Sequence, residues 1–192
     1  MTEIQIDKSR TALVVIDLQK GITGMPGEPY AGQFVVANAA RLADAFRANG
    51  MAVFLVRVKR SADMKDSLKP ITDTPSPPPS VLPPDWSEIV PELGPKEGDM
   101  VITKKQWGAF FGTELDLQLR RRHIDTIVLC GISTSYGVES TARFAYEYGY
   151  QQIFAEDAMS ARSREEHEHP VRVIFPRIGR VRTTDAILKA LG

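Results

Sequence analysis

Short runs of β-branched, apolar residues alternate along this chain with segments whose apolar residues recur every three or four positions. No other feature constrains the fold as tightly. Residues 11–16 (TALVVI) form an apolar run that stops at Asp17. A continuous run of that length suits a strand covered on both faces. Residues 34–49 carry Val35, Ala39, Leu42, Ala43 and Phe46 at helical spacing, with Gly50 placed to end the helix. The alternation continues with strands at 52–58, 100–103, 126–130, 152–155 and near 178–182. Helices are expected at 113–122 with Thr113 as N-cap, at 137–148, within 163–174, and from Asp185. Strands alternating with helices predict a three-layer α/β/α fold around a mostly parallel, six-stranded, Rossmann-like sheet with right-handed crossovers. Such sheets bind ligands outside the carboxyl ends of their strands, where the strand order reverses. Polar residues directly after strands are therefore the candidates for chemistry.

One stretch breaks the pattern. Nine of the 13 prolines lie between Pro70 and Pro95. Proline lacks an amide donor and restricts the residue before it, so neither a regular helix nor a central strand fits there. A linker between two domains is one reading. Only two strands precede Pro70, however, which favours a single domain over 1–192 with a Pro-rich surface loop at about 70–98. A loop of that length suits a lid or a subunit contact.

Composition narrows the function classes. Equal numbers of basic and acidic residues, 24 of each, argue against a general nucleic-acid or anionic-membrane binder. The one cysteine cannot form an intrachain disulfide or a Cys-rich zinc site and suits a reducing compartment. The first ten residues, MTEIQIDKSR, hold no signal-peptide core, and no apolar run approaches the roughly 18 residues of a membrane helix. A cytoplasmic protein is expected.

Three positions after strands stand out. Asp17 ends an apolar run, where partial desolvation raises a carboxyl pKa and favours acid–base work; it could equally be a cap. Lys104, beside Lys105, could hold a neighbouring carboxylate or steady a developing anion, or be one of two solvated lysines. Residues 131–141 (GISTSYGVEST) join a strand to a helix N-terminus, which suits an oxyanion site or an ordinary Ser/Thr-rich cap. Cys130 lies inside its strand and reads as core. His167 and His169 lie in a charged run (SREEHEH) that reads as solvated surface.

Taken together, ALVVIDLQ (12–19), VITKKQWGAFFGTELDLQLRRR (101–122), IVLCGISTSYGVESTARFAYEYGY (127–150) and AEDAMSA (155–161) resemble the isochorismatase-like hydrolase superfamily. That superfamily includes isochorismatases, nicotinamidases and carbamoyl-sarcosine amidases. The resemblance implies an Asp–Lys–Cys triad, with Asp17 as the Asp, Lys104 as the Lys, and Gly137 where the nucleophilic Cys would stand. Glycine cannot attack a carbonyl, so acyl-enzyme chemistry by the usual route is excluded. Isochorismatases also carry Gly there and hydrolyse a vinyl ether through an Asp acid. The resemblance further implies amides of Ser133 and Gly137 in an oxyanion-type pocket and a cis peptide at Ile132–Ser133. Candidate substrate-binding residues are Gln19, Arg57, Trp107, Phe110, Ser133 and Tyr136. Isochorismatases present a glutamine near the place of Val58, and here Arg57 and Lys59 flank it. No histidine precedes His123, so the metal site of the nicotinamidases is not expected, and neither is any cofactor.

The favoured reading is a hydrolase of a small carboxylated metabolite, working through Asp17 and Lys104 without a covalent nucleophile. The alternatives are a catalytically inactive member that binds a small molecule or a protein, and, more narrowly, a true isochorismatase. The expected partners are a small-molecule substrate and further copies of the chain in a homodimer or larger homo-oligomer.

Overall fold

The computed structural model describes residues 4–74 and 82–192. Its centre is a six-stranded sheet, parallel throughout, in the order β3-β2-β1-β4-β5-β6. The strands are β1 (Thr11–Ile16), β2 (Val53–Val58), β3 (Met100–Lys104), β4 (Thr126–Ile132), β5 (Gln151–Ser160) and β6 (Arg180–Arg182). The helices are α1 (Lys20–Thr23), α2 (Gly32–Ala48), α3 (Leu115–Arg121), α4 (Glu139–Glu147), α5 (Arg164–His169), α6 (Phe175–Ile178) and α7 (Thr184–Leu191). Two five-residue π-helical turns, Thr134–Val138 and Pro170–Ile174, lead into α4 and α6.

The side-chain alternation of β1 assigns the two faces of the sheet. Leu13 and Val15 point into a core built with α2 and α7, around Leu42, Phe46 and Ile187. Ala12, Val14 and Ile16 point into the opposite core, with Leu115 and Leu119 of α3, Ala142 and Ala145 of α4, and Phe175 of α6. The central strands are buried on both faces, which is why they read as unbroken apolar runs.

Strand order reverses between β1 and β4. The chain steps outward from β1 to β3 on one side, then returns to lay β4 on the other side of β1. The carboxyl ends of β1 and β4 therefore diverge around a crevice, the place such sheets reserve for ligands. At the same point β4 comes very close to β1. Gly131 sits at φ +125, and a Cβ there would fall on the backbone carbonyl of Ile16. Its partner in β5 jumps from Phe154, opposite Leu129, to Met159. Only glycine fits this approach.

Several boundaries differ from the expected ones, three of them near the carboxyl end of the sheet or in the elements leading to it. Lys104 is the last residue of β3 rather than the residue after it. Helix α3 starts at Leu115, and Thr113 Oγ1 accepts from the Leu115 amide just outside it. Strand β5 runs ten residues rather than the four the sequence suggests, because it continues past the bulge.

The Pro-rich stretch is not simply a surface excursion. Residues 75–81 lie outside the described ones. Beyond them the chain returns to the body, with Leu93 fully buried and Ile89 and Val90 nearly so, all in the α2-side core. Backbone hydrogen bonds join Lys20 to Glu88, Gly21 to Trp86 and Val90 to Leu18.

Candidate active site

Asp17 leaves β1 at φ +53, a conformation aspartate tolerates better than most residues. This turns its carboxylate across the carboxyl end of the sheet, where Lys104 reaches it from β3. Lys104 Nζ donates to Asp17 Oδ2 at 2.7 Å and to the Gln106 carbonyl at 3.0 Å. Both side chains are withdrawn from solvent, Asp17 to 5% exposure and Lys104 to 2%. Asp17 Oδ1 is buried and has no hydrogen-bond partner among the described residues. Burial pushes the Asp17 carboxyl up from its ordinary value to about 6, against the pull of the Lys104 ammonium.

Gly137 lies directly in front of this pair. A Cβ on it would sit 3.2 Å from Asp17 Oδ2, 3.0 Å from Ile16 Cγ2 and 3.5 Å from the Trp107 carbonyl. The turn that carries Gly137 follows a cis peptide between Ile132 and Ser133. Its other side is held by a buried pair that the sequence reading missed. Thr134 Oγ1 lies 2.9 Å from Nδ1 of His167, which sits deep in the protein rather than on the surface. Burial drives the His167 pKa down to about 4, so the ring is neutral at pH 7. Its Nε2 stands 4.0 Å from Glu156 Oε2, and its ring meets Tyr30 edge-on. The threonine, histidine and glutamate have the composition of a nucleophilic relay. Thr134 is fully buried and does not border the cavity, so the cluster acts as a brace for the turn.

Asp17, Lys104 and Gly137 open into a cavity of about 1080 Å³. Ser133, Tyr136 and Trp107 border it too, with Trp107 edge-on to Tyr136 at 4.8 Å between ring centres. Further lining residues include Trp86, Arg60, Lys105, Ser160 and Arg162. Lys105 is paired with Asp66 at 2.6 Å. Arg60 and Arg162 are exposed at the cavity border.

Three expected binding residues lie elsewhere. Gln19 is fully buried, and its amide is spent within the protein. Nε2 donates to the carbonyls of Val58 and Trp86, both at 3.1 Å, and Oε1 accepts from the Val58 amide at 2.9 Å. Gln19 therefore fastens walls of the cavity to one another. Arg57 does not border the cavity; its Nε donates to Thr103 Oγ1 at 3.2 Å, while Val58, on the other face of β2, does line it. Arg60 supplies a cation at the cavity border instead. Phe110 is buried against Tyr148 and Tyr150 and is a core aromatic.

Cys130 belongs to the α2-side core, whereas Ile16, the residue packed against Gly137, belongs to the opposite one. Burial pushes the Cys130 thiol up, so no thiolate is available at neutral pH. Among the described residues no group of three or more His, Cys, Asp or Glu is placed to hold a metal ion, and no helix is long and apolar enough to cross a membrane.

Comparison with known proteins decides the lineage. Residues 11–186 match the isochorismatase domain. The chain belongs to the isochorismatase family. It is 56% identical over 190 residues to the uncharacterized isochorismatase family protein YwoC of Bacillus subtilis, covering 98% of each chain. A solved isochorismatase family protein from Burkholderia thailandensis shares 46% identity with a TM-score of 0.94, covering 99% of each chain. A probable isochorismatase of Pseudomonas chlororaphis is 30% identical over 190 residues, 98% of this chain and 89% of its own. Members of the family are hydrolases, and this isochorismatase-family chain has their six-stranded parallel sheet.

Proposed function

We propose that the protein hydrolyses a small carboxylated metabolite by acid catalysis from Asp17, with no covalent enzyme intermediate. The observation that carries this reading is the buried Asp17–Lys104 pair, whose shared Oδ2 would lie 3.2 Å from a Cβ on Gly137, a residue with no side chain to act as nucleophile. A carboxyl raised to about 6 is partly protonated near neutrality, as a general acid must be. Gly137 corresponds to the family's nucleophilic cysteine, so bonds that need a thiolate, amides above all, are poor substrates. An enol ether needs only a proton. Asp17 gives its proton to the terminal carbon of the double bond, leaving an oxocarbenium ion. Water adds to that ion, and the resulting hemiketal collapses to a ketone and an alcohol while a proton returns to Asp17. Lys104 stabilises the Asp17 carboxylate while the proton is away, and that carboxylate in turn faces the positive charge of the oxocarbenium ion. Arg60 and Arg162 draw the substrate carboxylate toward the cavity.

The test uses 2-alkoxyacrylates, the simplest enol ethers bearing a carboxylate, and follows release of pyruvate. The protein is expected to release it, and Asp17→Asn to lose about 10³-fold in rate with its circular dichroism unchanged. Full activity in that variant contradicts the mechanism.

A further inference from the structure

Trp86 stands in the wall of the cavity although it lies in the Pro-rich stretch, outside the segments that carry Asp17, Lys104 and Gly137. The segment that carries it is clasped to the loop after β1. The Gly21 amide donates to the Trp86 carbonyl at 3.0 Å, and Gln19 Nε2 donates to the same oxygen. Lys20 donates to Glu88 at 2.7 Å and to Asp85 at 3.1 Å, bracketing the tryptophan in sequence. The indole itself occupies the space beside Gly21. A Cβ on that glycine would fall among indole atoms Cδ1, Nε1 and Cγ. Gly21 has an ordinary helical conformation, so it is the approach of the ring, not the backbone, that demands glycine here.

We infer that Trp86 is a specificity-determining residue of this cavity, seated in its wall by the bare Cα of Gly21. The inference rests on the acid-hydrolase reading for the identity of the substrate, and on geometry alone for the position of the ring. A large, rigid aromatic wall favours substrates that present an apolar group to it, and it does so at little conformational cost. Trp86 therefore selects the leaving-alcohol part of the substrate, while Asp17 acts on the enol part. Gly21 is a positioning residue that acts only through Trp86.

The experiment separates binding from turnover. Saturated 2-alkoxypropionates cannot react by enol protonation and serve as binding probes, with methoxy and benzyloxy members as the small and large cases. The cavity holds both tryptophans of the chain. Emission of Trp107 therefore reports binding when Trp86 is removed. In the parent, the benzyloxy probe should bind more tightly than the methoxy probe. Trp86→Ala should cut that preference about tenfold, and Gly21→Ala should cut it by a similar factor. The double variant should be no worse than either single one, because both remove the same wall. A preference unchanged in Trp86→Ala overturns the inference, and so does an additive loss in the double variant, which marks Gly21 as merely part of α1. Equal binding of the two probes by the parent also overturns it. Pyruvate release from 2-alkoxyacrylates is measured in parallel. Its absence, with the binding preference present, counts against acid hydrolysis and not against the role of Trp86.

Discussion

At the scale of single residues, the chemistry depends on how Asp17 is held. Desolvation raises its pKa and Lys104 lowers it, and the balance falls near 6. The sign of the consequence follows directly. An acid that must be protonated to act is mostly competent below that value and is lost as pH rises through it. The rate on 2-ethoxyacrylate, as kcat/KM, should therefore fall about tenfold per pH unit above roughly 6. A rate that instead rises from pH 5 to 8 would point to Asp17 as a base. Folding carries the same sign. The folded state binds this proton more tightly than the unfolded chain, so the stability gained from protonated Asp17 is present at low pH and lost through about pH 6. The grouping of Asp17, Lys104 and Gly137 at one end of the sheet was legible in the sequence, because strand ends mark where a parallel sheet binds ligands and the resemblance to the isochorismatase-like hydrolases implied the three. The places of Gln19 and Arg57 were not. Asp17 leaves the strand at positive φ, so strand alternation says nothing about where Gln19 points. Arg57 still obeys the alternation of β2, which turns it away from the cavity that Val58 lines.

At the scale of elements, the site depends on two close approaches. One is β4 against β1 at Gly131. Replacing it with alanine puts a methyl group onto the Ile16 carbonyl in a backbone conformation alanine resists. Gly131→Ala should cost about 3 kcal/mol or more, measured as a lower denaturant midpoint. A change below about 0.5 kcal/mol, the size of an ordinary surface substitution, would show that the two strands can separate. The other approach is the turn Thr134–Val138 against α5. The charged run SREEHEH hid it, because all seven of its residues are charged or polar and suit solvent. Helical spacing was the available signal. His167, Pro170, Val171, Ile174 and Phe175 recur at three and four residues and form the inward stripe of α5 and the turn after it. The Pro-rich stretch concealed its own return in the same way. Prolines dominate the composition there, but Ile89, Val90 and Leu93 carry the apolar signal that takes this part of the chain back to the core.

At the scale of the whole molecule, strand order explains why residues far apart in sequence act together. Reversal between β1 and β4 places Asp17 and the Gly137 turn on two sides of one crevice, and β3 brings Lys104 to the same end of the sheet. The six-strand alternation was readable directly, since central parallel strands must be apolar on both faces. The identity of the cavity walls was not, because Trp86 and Arg162 reach the site through connections whose paths depend on tertiary contacts. Mass spectrometry of one quenched reaction distinguishes acid hydrolysis from a route through a covalent intermediate. The protein is mixed with 2-ethoxyacrylate in deuterium oxide, and protein and product are weighed together. Acid hydrolysis gives pyruvate with a single deuterium on its methyl carbon and a chain of unchanged mass, apart from exchangeable hydrogens. A substrate-derived adduct on the protein, formed and consumed at the rate of turnover, would contradict it.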